Sequence, residues 1–215
     1  MCFICSPSQQ SPIDICKEFT YETSFSNRGL RVGYNSGVKA TVKPKDDHYL
    51  VEFAYSASQD IQLNNQTFHL QQFHFHEYSE HWIDSYQFPM EMHIVNRNSR
   101  TGDLAVLGIM IESQSKKNKA THSKLITSGV SKGLPFTINM KPKDWFPRRI
   151  NQYFRYEGSL TTPDYNEVVS WLVFANPIVL PAAEIRMLRK YFGLDVRFPQ
   201  PINRRYVLSN KQSKS

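Results

Sequence analysis

The chain has 215 residues, of which 40% are hydrophobic, 13% aromatic and 21% charged, as is usual for a globular protein with a sizeable packed core. Lysine and arginine number 26 against 19 acidic residues, which gives a net charge of +7. The charges are scattered, and neither an RNA-binding aromatic signature nor a basic heptad occurs, so we expect no nucleic-acid partner. No apolar run reaches the length of a membrane span, so we expect no membrane partner.

The length of the chain favours a single domain over residues 1–215, since neither an internal repeat nor a low-complexity linker divides it. The first residues have no basic start and too short an apolar stretch for a signal peptide, which makes the cytoplasm the default expectation. Residues 208–215 are expected to form a disordered tail. Three cysteines, Cys2, Cys5 and Cys16, predict neither a disulfide framework nor a zinc knuckle.

Short runs rich in Val, Ile, Phe and Tyr recur along the chain with turn residues between them, a pattern typical of β-strands. The run over residues 104–111 is continuously apolar, which predicts a strand that is buried on both faces. In chain order, the predicted strands cover residues 49–55, 68–75, 90–95, 104–111 and 168–174.

One helix is predicted over residues 182–191, because Ile185, Leu188 and Phe192 share one face and Gly193 can end the helix. A second short helix is expected over residues 119–127. Together with the strands, these elements predict a sheet-dominated α+β domain.

The most informative run is Phe-His-Phe-His at residues 73–76. Alternate side chains of a strand share a face, so His74 and His76 point one way while the two phenylalanines enter the core. His93 lies in a second predicted strand, and antiparallel pairing would bring it beside the first two histidines. Three neutral histidines with one open position form a catalytic zinc site, although a His-x-His pair alone is more often a surface or core pair.

Two polar residues strengthen the zinc interpretation. Gln72 lies two residues before His74, and Glu91 lies two residues before His93, so each shares a strand face with its histidine. Ligating histidines need an acceptor for the second ring N–H, and both residues can supply one. A buried Glu91 would be costly without such a partner.

These motifs occur in an order that resembles the signature of the α-carbonic anhydrases. Their compact spacing resembles the bacterial branch of that family. Gln-Phe-His-Phe-His at 72–76, Ser-Glu-His at 79–81 and Met-Glu-Met-His at 90–93 carry the resemblance, together with Gln-Ser-Pro at 10–12 and Tyr-Glu-Gly-Ser-Leu-Thr-Thr-Pro at 156–163. The resemblance implies a large twisted, mostly antiparallel β-sheet with a few short surface helices.

The resemblance also implies a role for each residue of the site. His74, His76 and His93 would bind Zn²⁺, with Gln72 and Glu91 behind them. Thr161 would orient the attacking hydroxide and pass a hydrogen bond to Glu80, and Thr162 would help to hold bicarbonate. The remaining implied residues form an apolar pocket for carbon dioxide: Val95, Val106, Leu160, Val169 and Trp171.

The implied activity is the zinc-dependent, reversible hydration of carbon dioxide to bicarbonate and a proton. The alternative is a carbonic anhydrase-like binding protein that keeps fold and zinc but has little turnover. The sequence does not determine the oligomeric state, and a homodimer is one alternative. Related bacterial enzymes are usually periplasmic or secreted, whereas the default expectation for this sequence is the cytoplasm.

Two departures from the family pattern affect the expected activity. The N-terminal segment of the family, rich in aromatic residues, has no counterpart before Gln10. The family's proton-shuttle position is occupied by Asp47, and His48 comes one residue late. Such an offset turns the side chain to the other strand face unless a loop deletion restores it, so His48 is a doubtful shuttle and proton export is expected to limit turnover.

Overall fold

A computed structural model of the chain describes residues 8–25, 29–34, 37–45, 48–55, 59–114, 130 and 134–210. The expected helix over residues 119–127 lies outside these ranges, as does Asp47. No helix in the described ranges has the length and apolar character needed to cross a membrane.

Strands dominate the described chain, accompanied by one α-helix, α1 (Ala182–Phe192), and 3₁₀ turns at Lys17–Phe19 and Pro142–Trp145. The strands are β1 (Asp14–Ile15), β2 (Tyr21–Thr23), β3 (Arg31–Val32), β4 (Val38–Lys45), β5 (His48–Phe53), β6 (Asp60–Leu63), β7 (Gln66–His76), β8 (Trp82–Ile83), β9 (Tyr86–Gln87), β10 (Met90–Arg97), β11 (Leu104–Gln114), β12 (Phe136–Met140), β13 (Tyr153–Gly158), β14 (Val169–Phe174), β15 (Ile178–Pro181), β16 (Gly193–Leu194) and β17 (Leu208–Asn210).

A single large sheet positions the histidines. Its main path runs in the order β12-β4-β5-β7-β10-β11-β14-β13-β17-β2. Neighbours along β4, β5, β7, β10 and β11 are antiparallel, whereas β14 joins β11 in parallel. The sheet-dominated, mostly antiparallel architecture that the sequence predicts is therefore confirmed.

The two faces of the sheet carry two apolar clusters. One contains Phe73, Phe75 and Leu107 with the buried side of α1, and the other contains Val106, Trp171 and Tyr156. β11 contributes to both clusters because its successive side chains point to opposite faces, as its continuously apolar sequence predicts. The central part of the sheet is thus buried on both sides, and the histidines can lie in a dry environment.

The predicted elements that fall within the described ranges agree with the structure except at the end of the chain. All five predicted strands are present with shifts of a few residues at their ends, and the predicted helix is α1 with one residue more. The expectation that the tail is disordered from residue 208 is wrong for Leu208–Asn210, which forms β17. Pairing with β13 on one side and β2 on the other satisfies the backbone of this segment.

Candidate metal centre

The register between β7 and β10 brings the three histidines together. His93 lies directly opposite His74, and Glu91 lies opposite His76. Since the phenylalanines between the histidines enter the core on the other face, all three imidazoles point to one side of the sheet. One ring nitrogen from each of His74, His76 and His93 lies within 4.8 Å of the others.

The second ring nitrogen of each histidine is engaged by an acceptor. Nδ1 of His74 lies 3.1 Å from Oε1 of Gln72, and Nδ1 of His76 lies 2.8 Å from the carbonyl oxygen of Asp195. His93 uses the opposite nitrogen, since its Nε2 lies 2.9 Å from Oε1 of Glu91. The acceptors predicted for His74 and His93 lie where the sequence pattern indicates, whereas the acceptor for His76 comes from a distant loop.

These contacts leave Nε2 of His74, Nε2 of His76 and Nδ1 of His93 to face a common point. Nε2 of His76 is buried and has no hydrogen-bond partner among the described residues. Three imidazole nitrogens with the remaining N–H groups held by acceptors suit a zinc ion, which binds neutral imidazole in tetrahedral sites. The donor set of this structure therefore fits zinc.

The electrostatics keep His74 and His76 in the neutral form that a metal requires. Burial lowers the pKa of His76 to about 3, and the adjacent His93 adds to the effect. Burial also lowers the pKa of His74 well below its ordinary value. A neutral imidazole at pH 7 presents a lone pair to a cation without first losing a proton.

Glu80 and Thr161 lie beside this point. The Thr161 hydroxyl is within hydrogen-bonding reach of the Glu80 carboxylate, and the backbone N–H of Arg197 donates to Oε1 of Glu80 at 2.9 Å. The other carboxylate oxygen lies 3.3 Å from Nε2 of His76. Burial raises the pKa of Glu80 to about 8 against the effect of these two hydrogen bonds, and a cation held by the histidines would lower it.

A buried network behind His93 contains His81, to which the sequence assigned no role in the site. Oε2 of Glu91 accepts the backbone N–H groups of Glu80 and His81, and Oε1 lies 2.8 Å from Nδ1 of His81. Nε2 of His81 lies 2.6 Å from the Tyr156 hydroxyl. Burial alone would raise the pKa of Glu91, but His81 and His93 outweigh it and hold that pKa well below its ordinary value.

His81 lines neither cavity over the histidines, unlike its neighbour Glu80, but it is fully buried and contacts Glu91 behind His93. The local sequence carries no signal for the contact with Tyr156, because that residue is 75 positions away along the chain.

Two adjoining cavities of about 570 and 370 Å³ open over the histidines. His76 and Glu80 line the larger, His74 and His93 line the smaller, and Thr161 lines both. The smaller cavity also has the predicted apolar wall of Val95, Val106, Leu160 and Trp171, with Thr162 at its edge. A neutral gas and a polar reaction centre can therefore occupy adjacent positions.

Val169 departs from the predicted wall. It is buried in the cluster that contains Val106 and Trp171, but it is absent from the lining of either cavity over the histidines. Its neighbour across the strand pair, Leu104, lines the smaller cavity instead. Val169 supports the wall by packing against it and has no direct access to the cavity.

His48 lies on the cavity side of the sheet, which is the placement expected if a loop deletion restores the shuttle position. It begins β5, pairs with Lys45 of β4 and shares a strand face with Leu50. Both cavities over the histidines include His48 in their lining. The position of His48 in the sequence does not show which strand face opens onto the cavity.

Comparison with known proteins agrees with this geometry. A family model described as eukaryotic-type carbonic anhydrase matches residues 2–211. A carbonic anhydrase of Pectobacterium atrosepticum is 31% identical over 201 residues, covering 93% of this chain and 79% of that protein. A carbonic anhydrase of Nostoc is 33% identical over 170 residues, covering 74% of this chain; the match spans 60% of that relative's length.

Solved structures give the same result at the level of the fold. The α-carbonic anhydrase of Photobacterium profundum superposes with a TM-score of 0.79 and 27% identity, covering 95% of this chain and 90% of the other. The α-carbonic anhydrase of Thermovibrio ammonificans, solved in complex with the inhibitor sulfanilamide, has a TM-score of 0.78 and 28% identity, with 93% and 86% coverage.

Proposed function

This chain belongs to the α-carbonic anhydrase family, and from that premise we propose that it catalyses the reversible hydration of carbon dioxide, with a zinc ion held by His74, His76 and His93. The observation that carries the proposal is the convergence of three imidazole nitrogens, each on a ring whose other nitrogen is already engaged. When bound, zinc supplies a Lewis acid that generates a nucleophile at neutral pH, a general property of carbonic anhydrases rather than a result of this structure.

The chain's own residues orient the reactants. In the proposed mechanism the Thr161 hydroxyl donates a hydrogen bond to Glu80, whose pKa Thr161 lowers, so the lone pairs of Thr161 accept a hydrogen bond from the attacking group. Glu80 is fixed by the Arg197 N–H, which keeps the Thr161 hydroxyl in one orientation. Preorganised contacts of this kind stabilise a transition state without a reorganisation cost.

The walls of the smaller cavity select the substrate. Val95, Val106, Leu160 and Trp171 provide an apolar surface that suits carbon dioxide, which is neutral and poorly hydrated. Thr162 offers a hydroxyl at the edge of that surface, where it can hold bicarbonate as the product forms. His48, on the wall of both cavities, is the candidate relay that carries the released proton towards solvent.

Metal content and turnover measured on the same samples test the proposal. We expect zinc near one equivalent per chain after reconstitution, and its loss in His93→Ala. Thr161→Ala should keep zinc but slow carbon dioxide hydration by about 10²-fold, as removal of one preorganised hydrogen bond does elsewhere. Thr137→Ala, on the exposed side of β12, should change neither quantity.

The possible outcomes distinguish an active enzyme from a binding protein that keeps the fold and the metal. Zinc-loaded protein that does not hydrate carbon dioxide would identify a binding protein that keeps the fold and the metal. Protein that takes up no zinc under reconstitution would contradict the assignment of the three ligands.

A further inference from the structure

A separate cavity of about 940 Å³ shares no lining residue with the two cavities over the histidines. It lies where β13, β17 and β2 meet, next to the turn between β6 and β7. Asn64 reaches it from that turn, whose two central residues, Asn64 and Asn65, have positive φ angles of 51° and 60°. The fold therefore builds a second concave site that the proposed reaction does not use.

The charge of this cavity is strongly positive. Arg155, Arg204 and Arg205 line it, and Glu157 is the acid among the lining residues that the structure describes. Both carboxylate oxygens of Glu157 are already engaged, one 3.2 Å from Nη2 of Arg155 and the other 2.6 Å from Oγ of Ser170. One acid thus offsets one arginine, and two positive charges remain.

Arg205 is held in place by neutral acceptors. Its guanidinium donates to the backbone carbonyl oxygens of Gln10, Glu157, Pro201 and Ile202. These acceptors fix the orientation of the guanidinium, and no carboxylate of the described residues forms an ion pair with it, although the charge of Glu167 acts on it from a greater distance. A fixed cation beside a cavity attracts anions at no further ordering cost.

The other donors line the same cavity. Arg155 is only 8% exposed and is anchored by Oδ1 of Asn64 at 2.9 Å. Arg204 is exposed, and within the described ranges it has no hydrogen-bond or ion-pair partner. The hydroxyls of Thr23 and Ser24 likewise have no partner there. Guanidinium and hydroxyl groups in this combination are the usual donors to phosphate oxygens.

We propose that this cavity binds a phosphate group, either as inorganic phosphate or as the monoester of a small organic molecule. A dianion matches Arg204 and Arg205, with which no carboxylate of the described residues forms an ion pair, and the donors around it exceed what a monovalent anion needs. The cavity is larger than a phosphate ion, and Phe25 and Tyr206 give it an aromatic wall on which an ester group can pack. The proposal does not depend on the reaction at the metal centre.

Binding measured by calorimetry tests this site, using the zinc-loaded full chain in phosphate-free buffer at constant ionic strength. Arg204→Gln should weaken the binding of inorganic phosphate about tenfold, because a hydrogen bond to a charged group is lost. Arg148→Gln removes an equally exposed arginine outside the cavity and should leave the affinity unchanged. Because Arg204 lies at the surface, its substitution leaves the core packing intact.

Phenyl phosphate distinguishes the two forms of the ligand. If phenyl phosphate binds more tightly than phosphate and Tyr206→Ala removes the difference, the cavity takes an ester; equal affinities assign it to inorganic phosphate. Equal affinities of the Arg204→Gln and Arg148→Gln proteins for both compounds would overturn the proposal. Phosphate bound at the metal centre would give that result, since Arg204 is remote from that site's lining.

Discussion

Individual side chains around the metal centre are fixed by contacts that leave one ring nitrogen of each histidine available. Gln72, the carbonyl group of Asp195 and Glu91 each engage one imidazole. His93 presents Nδ1 where His74 and His76 present Nε2, because Glu91 lies on the same strand and engages Nε2. A substitution of Gln72 or Glu91 would free a ring and weaken the site without removing a ligand, whereas the acceptor at Asp195 belongs to the backbone.

Proton export is proposed to depend on one side chain, that of His48, and substitution of His48 tests this role. His48→Ala should lower maximal turnover at least about tenfold at low buffer concentration, since each turnover releases a proton that must leave the cavity. A small imidazole buffer that enters the cavity should restore most of the rate. Zinc content should stay unchanged, because His48 is not one of the three converging histidines.

His69→Ala provides the matched control for the loss of an imidazole. His69 lies on β7 beside Tyr55, and it does not line either cavity over the histidines. Turnover of the His48→Ala protein that equals the unmodified protein at every buffer concentration would assign proton export to another group.

Among the elements, the antiparallel trio of β7, β10 and β11 controls the site. The register places His93 between His74 on one side and Gly108 on the other. A shift by one residue would send each histidine to the opposite face, so the core packing of the alternate residues holds the metal site in register.

Substitution of Gly108 on β11 tests how this strand supports zinc binding. A Cβ atom at this position would lie 2.9 Å from Oε1 of Glu91, the oxygen that contacts both His81 and His93. Gly108→Ala should therefore displace the Glu91 carboxylate and weaken zinc affinity by about 10- to 100-fold, as is typical for loss of a contact behind a ligand. Competition with a chelator of known affinity measures the change.

Gly37→Ala is the control for this substitution, because a Cβ atom there would meet only the Met140 carbonyl oxygen, at 3.9 Å. Its zinc affinity should match that of the unmodified protein. If Gly108→Ala also retained full affinity, the position of Glu91 would not limit metal binding.

For the whole molecule, the free energy of unfolding depends on pH because several buried ionisable groups with shifted pKa values lie at the metal centre. In the metal-free protein, burial lowers the pKa of His76 to about 3 and that of His74 well below its ordinary value. Unfolded histidines titrate near 6.5, so the unfolded chain binds more protons below that pH. Glu80 acts in the opposite sense between its unfolded value of about 4.3 and about 8, because its folded pKa is raised.

The metal-free protein should therefore lose stability as the pH falls below about 6.5, where the two histidines together outweigh Glu80. The loss should steepen below about pH 4.3, where Glu80 no longer opposes it and the lowered pKa of Glu91 adds to it. His76→Gln should reduce the slope of unfolding free energy between about pH 4.5 and 6 by up to about 1.4 kcal/mol per pH unit. Urea unfolding in the presence of a chelator measures it, and an unchanged slope would contradict the burial of a neutral His76.

The cavity proposed to bind phosphate also depends on the whole fold, since its arginines come from β13 and from the segment before β17. No local motif marks it, because Arg155 and Arg204 are far apart in sequence. The net charge of the chain did not indicate a particular partner, but the fold places part of that charge around one cavity.

The sequence alone determined five of the strands, helix α1, the three converging histidines and the acceptors Gln72 and Glu91. These features depend on side-chain alternation along a strand, which is a local property that the order of residues expresses directly. The apolar wall was predicted by resemblance, and four of its five members line the cavity.

Tertiary structure alone decided the contacts between residues that are distant along the chain. The carbonyl group behind His76, the contact of His81 with Tyr156, the cavity side of His48 and the exclusion of Val169 from the wall all depend on which surfaces meet. Residues 208–210 form a strand for the same reason, since β13 and β2 supply hydrogen-bond partners that the segment itself does not encode. A local pattern fixes which face a strand side chain takes, whereas only packing fixes what that face will contact.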